Sequence, residues 1–213
     1  MEIRKTNDGS STIWSEKYGE TYHSGFGAVT ESSHVFIEAG LKQVITNPVN
    51  VFEMGFGSGL NALLTLMEAR KLNRRVHYHA IELHPLELDF VDAFDIPVEY
   101  KEVFRTIHAS EWDKETEVDA NFTIRKIRGD LTLWQPGSFY HLVYYDAFSP
   151  ESQPELWTAD MFRKIYDMMY PGGILTTYCA KGVVRRNMIA TGFTVERLPG
   201  PPGKREMLRA RKN

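Results

Sequence analysis

A single cysteine, Cys179, stands in 213 residues, so the chain cannot form an internal disulfide and its composition fits a reducing compartment. The residue closes a predicted strand and reads as a small core side chain rather than a nucleophile. No apolar stretch approaches the ~20 residues that a membrane span needs. Met1-Glu2-Ile3-Arg4-Lys5-Thr6 leads into polar residues instead of a signal-peptide core, so the expected location is cytoplasmic. The seven histidines show no H-x-x-x-H spacing and Cys179 has no partner, which leaves a zinc site unsupported; no metal is expected. His23 as a general base or metal ligand is likewise unsupported. Internal repeats, low-complexity stretches and a linker to a second domain are also missing. With 42% hydrophobic residues the chain can bury one substantial core, and 1–213 is expected to be a single domain.

What is present begins with charge. The net charge of −3 is uneven: 181–213 holds nine Lys/Arg against Glu196 and Glu206, a segment of +7 on a remainder of −10. Such an end could hold a polyanion at one face, or could be a solvated helix face followed by a frayed tail. More specific is Val51-Phe52-Glu53-Met54-Gly55-Phe56-Gly57-Ser58-Gly59-Leu60-Asn61. A short strand-like run ends in three glycines at alternate positions, and a helical pattern follows with Leu60, Leu63, Leu64 and Met67 on one face. Glycine lets the backbone turn tightly and approach a ligand, and the free N–H groups of a helix start then face that ligand. The pattern predicts a nucleotide-type pocket. Its G-x-G-x-G spacing differs from the G-x-G-x-x-G of dinucleotide folds and resembles that of S-adenosylmethionine (SAM) enzymes, whose ligand has no phosphate. Val76-His77-Tyr78-His79-Ala80-Ile81-Glu82 reads as the next strand, and Glu82 lies 23 residues beyond Gly59. A carboxylate there can accept both hydroxyls of a ribose; otherwise it is a solvated strand end.

The remaining elements alternate. A short helix over 85–93 and helical spacing over 100–112 precede a charged connection, Asp113-Lys114-Glu115-Thr116-Glu117. Strands follow at Phe122–Ile127, ending at Gly129-Asp130, and at Tyr140–Tyr145, ending at Asp146. A helix over 154–169 closes on Pro171-Gly172-Gly173, then come a strand at 174–178 and an Arg-rich helix over 181–191. Phe193–Leu198 and Glu206–Ala210 flank Pro199-Gly200-Pro201-Pro202-Gly203-Lys204-Arg205, with no room for a helix, so they pair antiparallel. The predicted class is α/β, a mostly parallel Rossmann-like sheet with one antiparallel C-terminal strand, the arrangement of class I SAM-dependent methyltransferases. Gly55, Glu82, Asp130 and Asp146 all fall at carboxyl ends of strands, where such sheets bind ligands. If 193–198 runs parallel to the others, the cationic 199–205 loop borders the same crevice.

Asp130 can accept a hydrogen bond from an adenine amino group, or merely cap its turn. Asp146, in Tyr145-Asp146-Ala147-Phe148-Ser149-Pro150, is the candidate for catalysis, the alternative being a cap on the following helix. Aromatic neighbours can desolvate a carboxylate and make it a better proton acceptor, which methyl transfer to an amine requires because an alkylamine is mostly protonated at neutral pH. Tyr18-Gly19-Glu20-Thr21-Tyr22-His23-Ser24-Gly25-Phe26-Gly27 mixes aromatics with flexible glycines, as a flap over a ligand or a surface hairpin would.

These pieces resemble the methyltransferase domain of the MnmC type, the tRNA 5-methylaminomethyl-2-thiouridine methyltransferases. The resemblance runs over nearly the whole chain: Tyr22-His23-Ser24, Glu31-Ser32 with Val35-Phe36-Ile37, the glycine turn, Gly129-Asp130, Asp146-Ala147-Phe148-Ser149-Pro150 with Pro154-Glu155-Leu156-Trp157, and the Pro199–Met207 ending. It implies SAM-dependent methylation of the 5-aminomethyl nitrogen on the wobble uridine of tRNA, with the anticodon region as partner and no membrane. Gly55, Gly57, Gly59 and Glu82 would bind SAM, Asp130 its adenine end, and Asp146 the reacting amine. Tyr22, Ser24, Phe148, Lys204 and Arg205 would meet the substrate, and residues 1–45 would extend over the ligand site. Two-domain members carry a flavin-dependent oxidase; this chain holds no second glycine fingerprint, which fits a stand-alone form linked functionally to whatever enzymes install the aminomethyl group. Three other readings compete: a methyltransferase for a small-molecule amine or a protein, an aminopropyltransferase using decarboxylated SAM, and a non-catalytic RNA-binding subunit.

Overall fold

The computed structural model describes residues 1–213, with the side chain of Asp89 excepted. The centre of the fold follows from one buried strand. In β4 (Val49–Met54) every residue but Asn50 is buried, as expected for a strand covered on both faces. It pairs in parallel with β5 (Val76–Glu82) on one side and β8 (Tyr140–Tyr145) on the other, and β5 pairs in parallel with β7 (Phe122–Arg128). Beyond β8 lies β9 (Met169–Thr177), also parallel. β11 (Glu206–Lys212) runs antiparallel to both β9 and β10 (Phe193–Pro199), so β10 points the same way as the parallel strands. The order is β10-β11-β9-β8-β4-β5-β7-β6. The expected sheet with its antiparallel C-terminal strand is therefore present, and the 199–205 loop opens on the side of the crevice.

Helices cover both faces. α2 (Leu60–Lys71) buries Leu60, Leu63, Leu66 and Ala69 at helical spacing, and α4 (Val98–Ala109) buries Phe104, Ile107 and His108. α5 (Ala159–Asp167) is capped by the Thr158 hydroxyl, which accepts from the Met161 N–H at 3.2 Å. α6 (Gly182–Ala190) packs on β10 through Val184 and Met188. α3 (Leu88–Val91) is a single turn. Among the described residues no helix is long and apolar enough to cross a membrane.

Three elements depart from expectation. The charged connection at 113–117 instead leads into β6 (Glu115–Asp119), antiparallel to β7 at the sheet edge. An edge strand needs no apolar run, and Glu115 lies in register opposite Arg125, opposite charges across the pair. The single helix over 154–169 is broken: a 3-10 turn covers Pro154–Trp157, and Thr158 leaves helical geometry to cap α5. Finally, Pro171-Gly172-Gly173 lies inside β9, whose register against β8 shifts between Tyr140 and Leu142, so these residues make a bulged strand entry rather than a turn.

The first 45 residues form a separate layer. β1 (Glu2–Lys5), β2 (Ser11–Ser15) and β3 (Glu20–Thr21) make a small antiparallel sheet. α1 (Ala28–Ser32) then runs into a wide π-type turn at Ser33–Glu38, whose Val35, Phe36 and Ile37 are buried in the main core.

Candidate active site

At the carboxyl ends of the parallel strands lies a cavity of about 740 Å³, within the ~300–1,000 Å³ typical of small-molecule sites. The glycine turn forms one wall. Gly55 and Gly57 have φ of +86° and +50°, conformations that a side chain strains. A Cβ at Gly55 would lie 2.8 Å from the Asp146 carbonyl oxygen, and one at Gly57 would lie 3.0 Å from the Tyr22 ring. Gly59 does not line the cavity. It caps α2 at φ +72°, and its missing Cβ makes room for His108, whose Nε2 would stand 2.6 Å away. Its role is to seat α2 against α4.

Glu82 ends β5 with both carboxylate oxygens on backbone N–H groups, Gly57 at 3.0 Å and His84 at 2.8 Å. Each oxygen keeps a lone pair for a further donor. Asp130 Oδ1 accepts from the N–H and hydroxyl of Thr132 at 2.8 and 2.7 Å, a local turn that leaves Oδ2 uncommitted on a residue that lines the cavity. The turn-capping and ligand readings of Asp130 are thus compatible. These groups fit SAM: a glycine cradle, a ribose-type carboxylate, and an adenine-side acceptor beside Leu83 and Leu131.

Asp146 follows β8 and lies beside the glycine turn, its N–H donating to the Met54 carbonyl at 3.2 Å. Its Oδ2 accepts from Asn61 Nδ2 at 2.8 Å, and burial pushes its carboxyl up to about 7, with Glu31 adding to the rise while Asn61 and Lys204 oppose it. The aromatic wall is Phe148, stacked on Tyr18 at 4.2 Å and met edge-on by Tyr22 at 5.1 Å. β3 is tied to this loop through Glu20, which accepts from the hydroxyls of Ser149 and Ser152 and from the Ser149 N–H. Tyr22, Ser24 and Lys204 all line the cavity; Arg205 is exposed and does not. Lys204 is committed rather than free: its ammonium pairs with the buried Glu31 and sits 3.9 Å over the Tyr178 ring. Glu31 also accepts from the Ser24 N–H at 2.7 Å. His23 lines the cavity as a neutral ring, its pKa pushed down to about 4 by burial.

The sequence reading passed over Glu20, Glu31, Glu53, Asn61 and Tyr178. Two carried a signal. Glu53 is a charged residue inside an apolar strand, and Asn61 is a polar residue on the buried face of α2. Glu20 had none, because its Ser149 and Ser152 partners are over 100 residues away; Glu31 stood in the Glu31-Ser32 motif, but its pairing with Lys204 was not visible there.

The model of a family described as S-adenosyl-L-methionine-dependent methyltransferase matches residues 96–213, more than half of the chain. This chain belongs to that methyltransferase family. The methyltransferase is 30% identical, over 97% of its length, to the tRNA 5-methylaminomethyl-2-thiouridine biosynthesis bifunctional protein MnmC of Cupriavidus metallidurans. It spans about a third (33%) of that relative. The crystal structure of MNMC2 from Aquifex aeolicus superposes with a TM-score of 0.85 and 27% identity, over 100% of this methyltransferase and 70% of that chain. Spermidine synthase from Thermotoga maritima, at 11% identity and a TM-score of 0.58 over 100% of this chain and 72% of its own, shares the fold alone.

Proposed function

We propose that this methyltransferase transfers the methyl group of SAM to the nitrogen of a 5-aminomethyl group on the wobble uridine of tRNA, giving 5-methylaminomethyl-2-thiouridine. The observation that carries the reading is Asp146. A carboxyl held near 7, in the same cavity as the glycine cradle, suits a primary ammonium that must lose a proton before it can attack. The name of the relative MnmC, a tRNA 5-methylaminomethyl-2-thiouridine biosynthesis protein, supports the substrate class. Bound SAM supplies an electrophilic methyl group on a sulfonium. Asp146 orients the incoming ammonium, takes its proton and leaves a nitrogen lone pair. The walls hold that nitrogen close to the methyl carbon, and such positioning is worth up to ~7–11 kcal/mol of barrier. Tyr22 and Phe148 offer an apolar wall to a base turned out of its stack.

In this reading the whole chain is one catalytic domain, and residues 1–45 cover the site. The tRNA meets it at the anticodon region, and the aminomethyl group comes from a separate, earlier reaction. The exposed Arg205, beside the mouth, is a phosphate contact; Lys204 shapes the wall instead. The test uses methyl-labelled SAM and tRNA from cells unable to make this methylation, with nucleosides resolved by mass spectrometry. Label on the 5-aminomethyl-2-thiouridine is expected. Label on free small amines and none on tRNA would move the reading to the small-molecule alternative.

A further inference from the structure

Glu53 lies in a central strand of the sheet and is 0% exposed, an expensive place for a carboxylate. Its Oε1 accepts from Asn61 Nδ2 at 2.9 Å, and the same nitrogen donates to Asp146 Oδ2 at 2.8 Å. One amide thus spends both of its hydrogens on two carboxyl groups. The reverse amide orientation would set a carbonyl oxygen against both of them and is excluded while either is ionised. Two anions bridged by one NH₂ in a dry site repel, so the drier group carries the proton. Among the described residues no cation pairs with Glu53, and its one other neighbouring donor, the buried Tyr78 hydroxyl, lies beside it without hydrogen-bond geometry and opposes the burial effect only weakly.

We infer that Asn61 is a positioning residue for Asp146, and that Glu53, kept as a neutral acid, is the anchor that orients the Asn61 amide. Asn61 holds Asp146 Oδ2, which leaves Oδ1 to face the substrate ammonium. Glu53 stores no charge for the reaction; it fixes an angle. Burial, the strongest influence on Glu53, drives its carboxyl well above the usual range, which agrees with the neutral form. The other groups that bear on Asp146 are Glu31 and Lys204, which pair with each other, and the tyrosines Tyr78 and Tyr178.

The inference rests on Asp146 as the amine-facing carboxylate, so its test separates the two. Glu53→Gln keeps a neutral acceptor for Asn61 and is expected to leave kcat within about threefold of wild type and the acid limb of the pH profile in place. Glu53→Leu fills the same space without an acceptor, and kcat is expected to fall roughly tenfold while SAM affinity stays within about threefold. Asn61→Ala should move the acid limb up by about one pH unit, because a hydrogen bond favouring the anion is lost. The same displacement should appear in the Asp146 carboxyl carbon resonance of the ligand-free protein, a readout that needs no methyl transfer. If Asn61→Ala does not fold, the contrast between Gln and Leu at position 53 decides. Glu53→Gln as damaging as Glu53→Leu, or an Asp146 titration unmoved in Asn61→Ala, overturns the inference. Full turnover in Asp146→Asn would instead overturn the role of Asp146 itself.

Discussion

Replacing Asp146 with Asn should make the protein more stable and less active at the same time, with the stability gain confined to high pH. In the folded chain burial holds this carboxyl at about 7, against an ordinary 3.8. A carboxyl raised in the folded state contributes stability that is complete below its unfolded pKa and is lost as pH rises through the folded one. The window is therefore about pH 4 to 7, and the full loss is roughly 4 kcal/mol at 1.36 kcal/mol per pKa unit. Water entry and relaxation on ionisation reduce it, so a difference of about 2–4 kcal/mol is expected at pH 8.5. Asn has the same shape and can still accept from Asn61, so the two proteins should agree to within about 1 kcal/mol near pH 4. Urea denaturation of the ligand-free proteins at both pH values measures the difference, since effects of all other groups cancel. Equal stabilities at both pH values, or a variant less stable at pH 8.5, would refute the argument. It would mean that Asp146 ionises freely and is not the poised base proposed here.

Lys204→Met should cost about 1–3 kcal/mol by leaving buried Glu31 unpaired, and adding Glu31→Gln should recover most of it in the same denaturation assay. Gly57→Ala forces a side chain into φ +50° against the Tyr22 ring, and calorimetric titration should show SAM affinity lower by roughly tenfold. Reversing the exposed Arg186 and Arg205 to Glu should weaken tRNA binding and flatten its salt dependence by about 2 in log–log slope, with SAM affinity unchanged. An unchanged slope would place the phosphate contacts elsewhere.

The parallel core was legible because its strands are apolar and end in residues with a visible purpose. Val76–Glu82 and Tyr140–Tyr145 match the expected spans residue for residue, and Gly55, Glu82, Asp130 and Asp146 converge as their strand-end positions required. β6 was hidden because an edge strand is stabilised by pairing and charge, which leave no hydrophobic period. The break at Thr158 was hidden because the same hydroxyl that interrupts the 154–169 pattern also starts α5. In the site, the glycine triplet looked uniform, yet Gly59 answers to His108 on another helix and not to the cavity. Lys204 looked like a free substrate contact in a cationic loop at the crevice. Its pairing with Glu31, 173 residues away, is a tertiary fact that no local pattern records. The layer formed by residues 1–45 was expected over the site, but the clamp from Glu20 to Ser149 and Ser152 depends on how that layer docks.

The central claim is that the acceptor is an aminomethyl nitrogen on tRNA, facing Asp146. The most direct measurement is single-turnover transfer from methyl-labelled SAM to two matched tRNAs, one carrying 5-aminomethyl-2-thiouridine at the wobble position and one with unmodified uridine there. The account predicts label on the first tRNA alone, on the exocyclic nitrogen, and its loss in Asp146→Asn at undiminished SAM binding. Equal labelling of both tRNAs, or full transfer by Asp146→Asn, would contradict it.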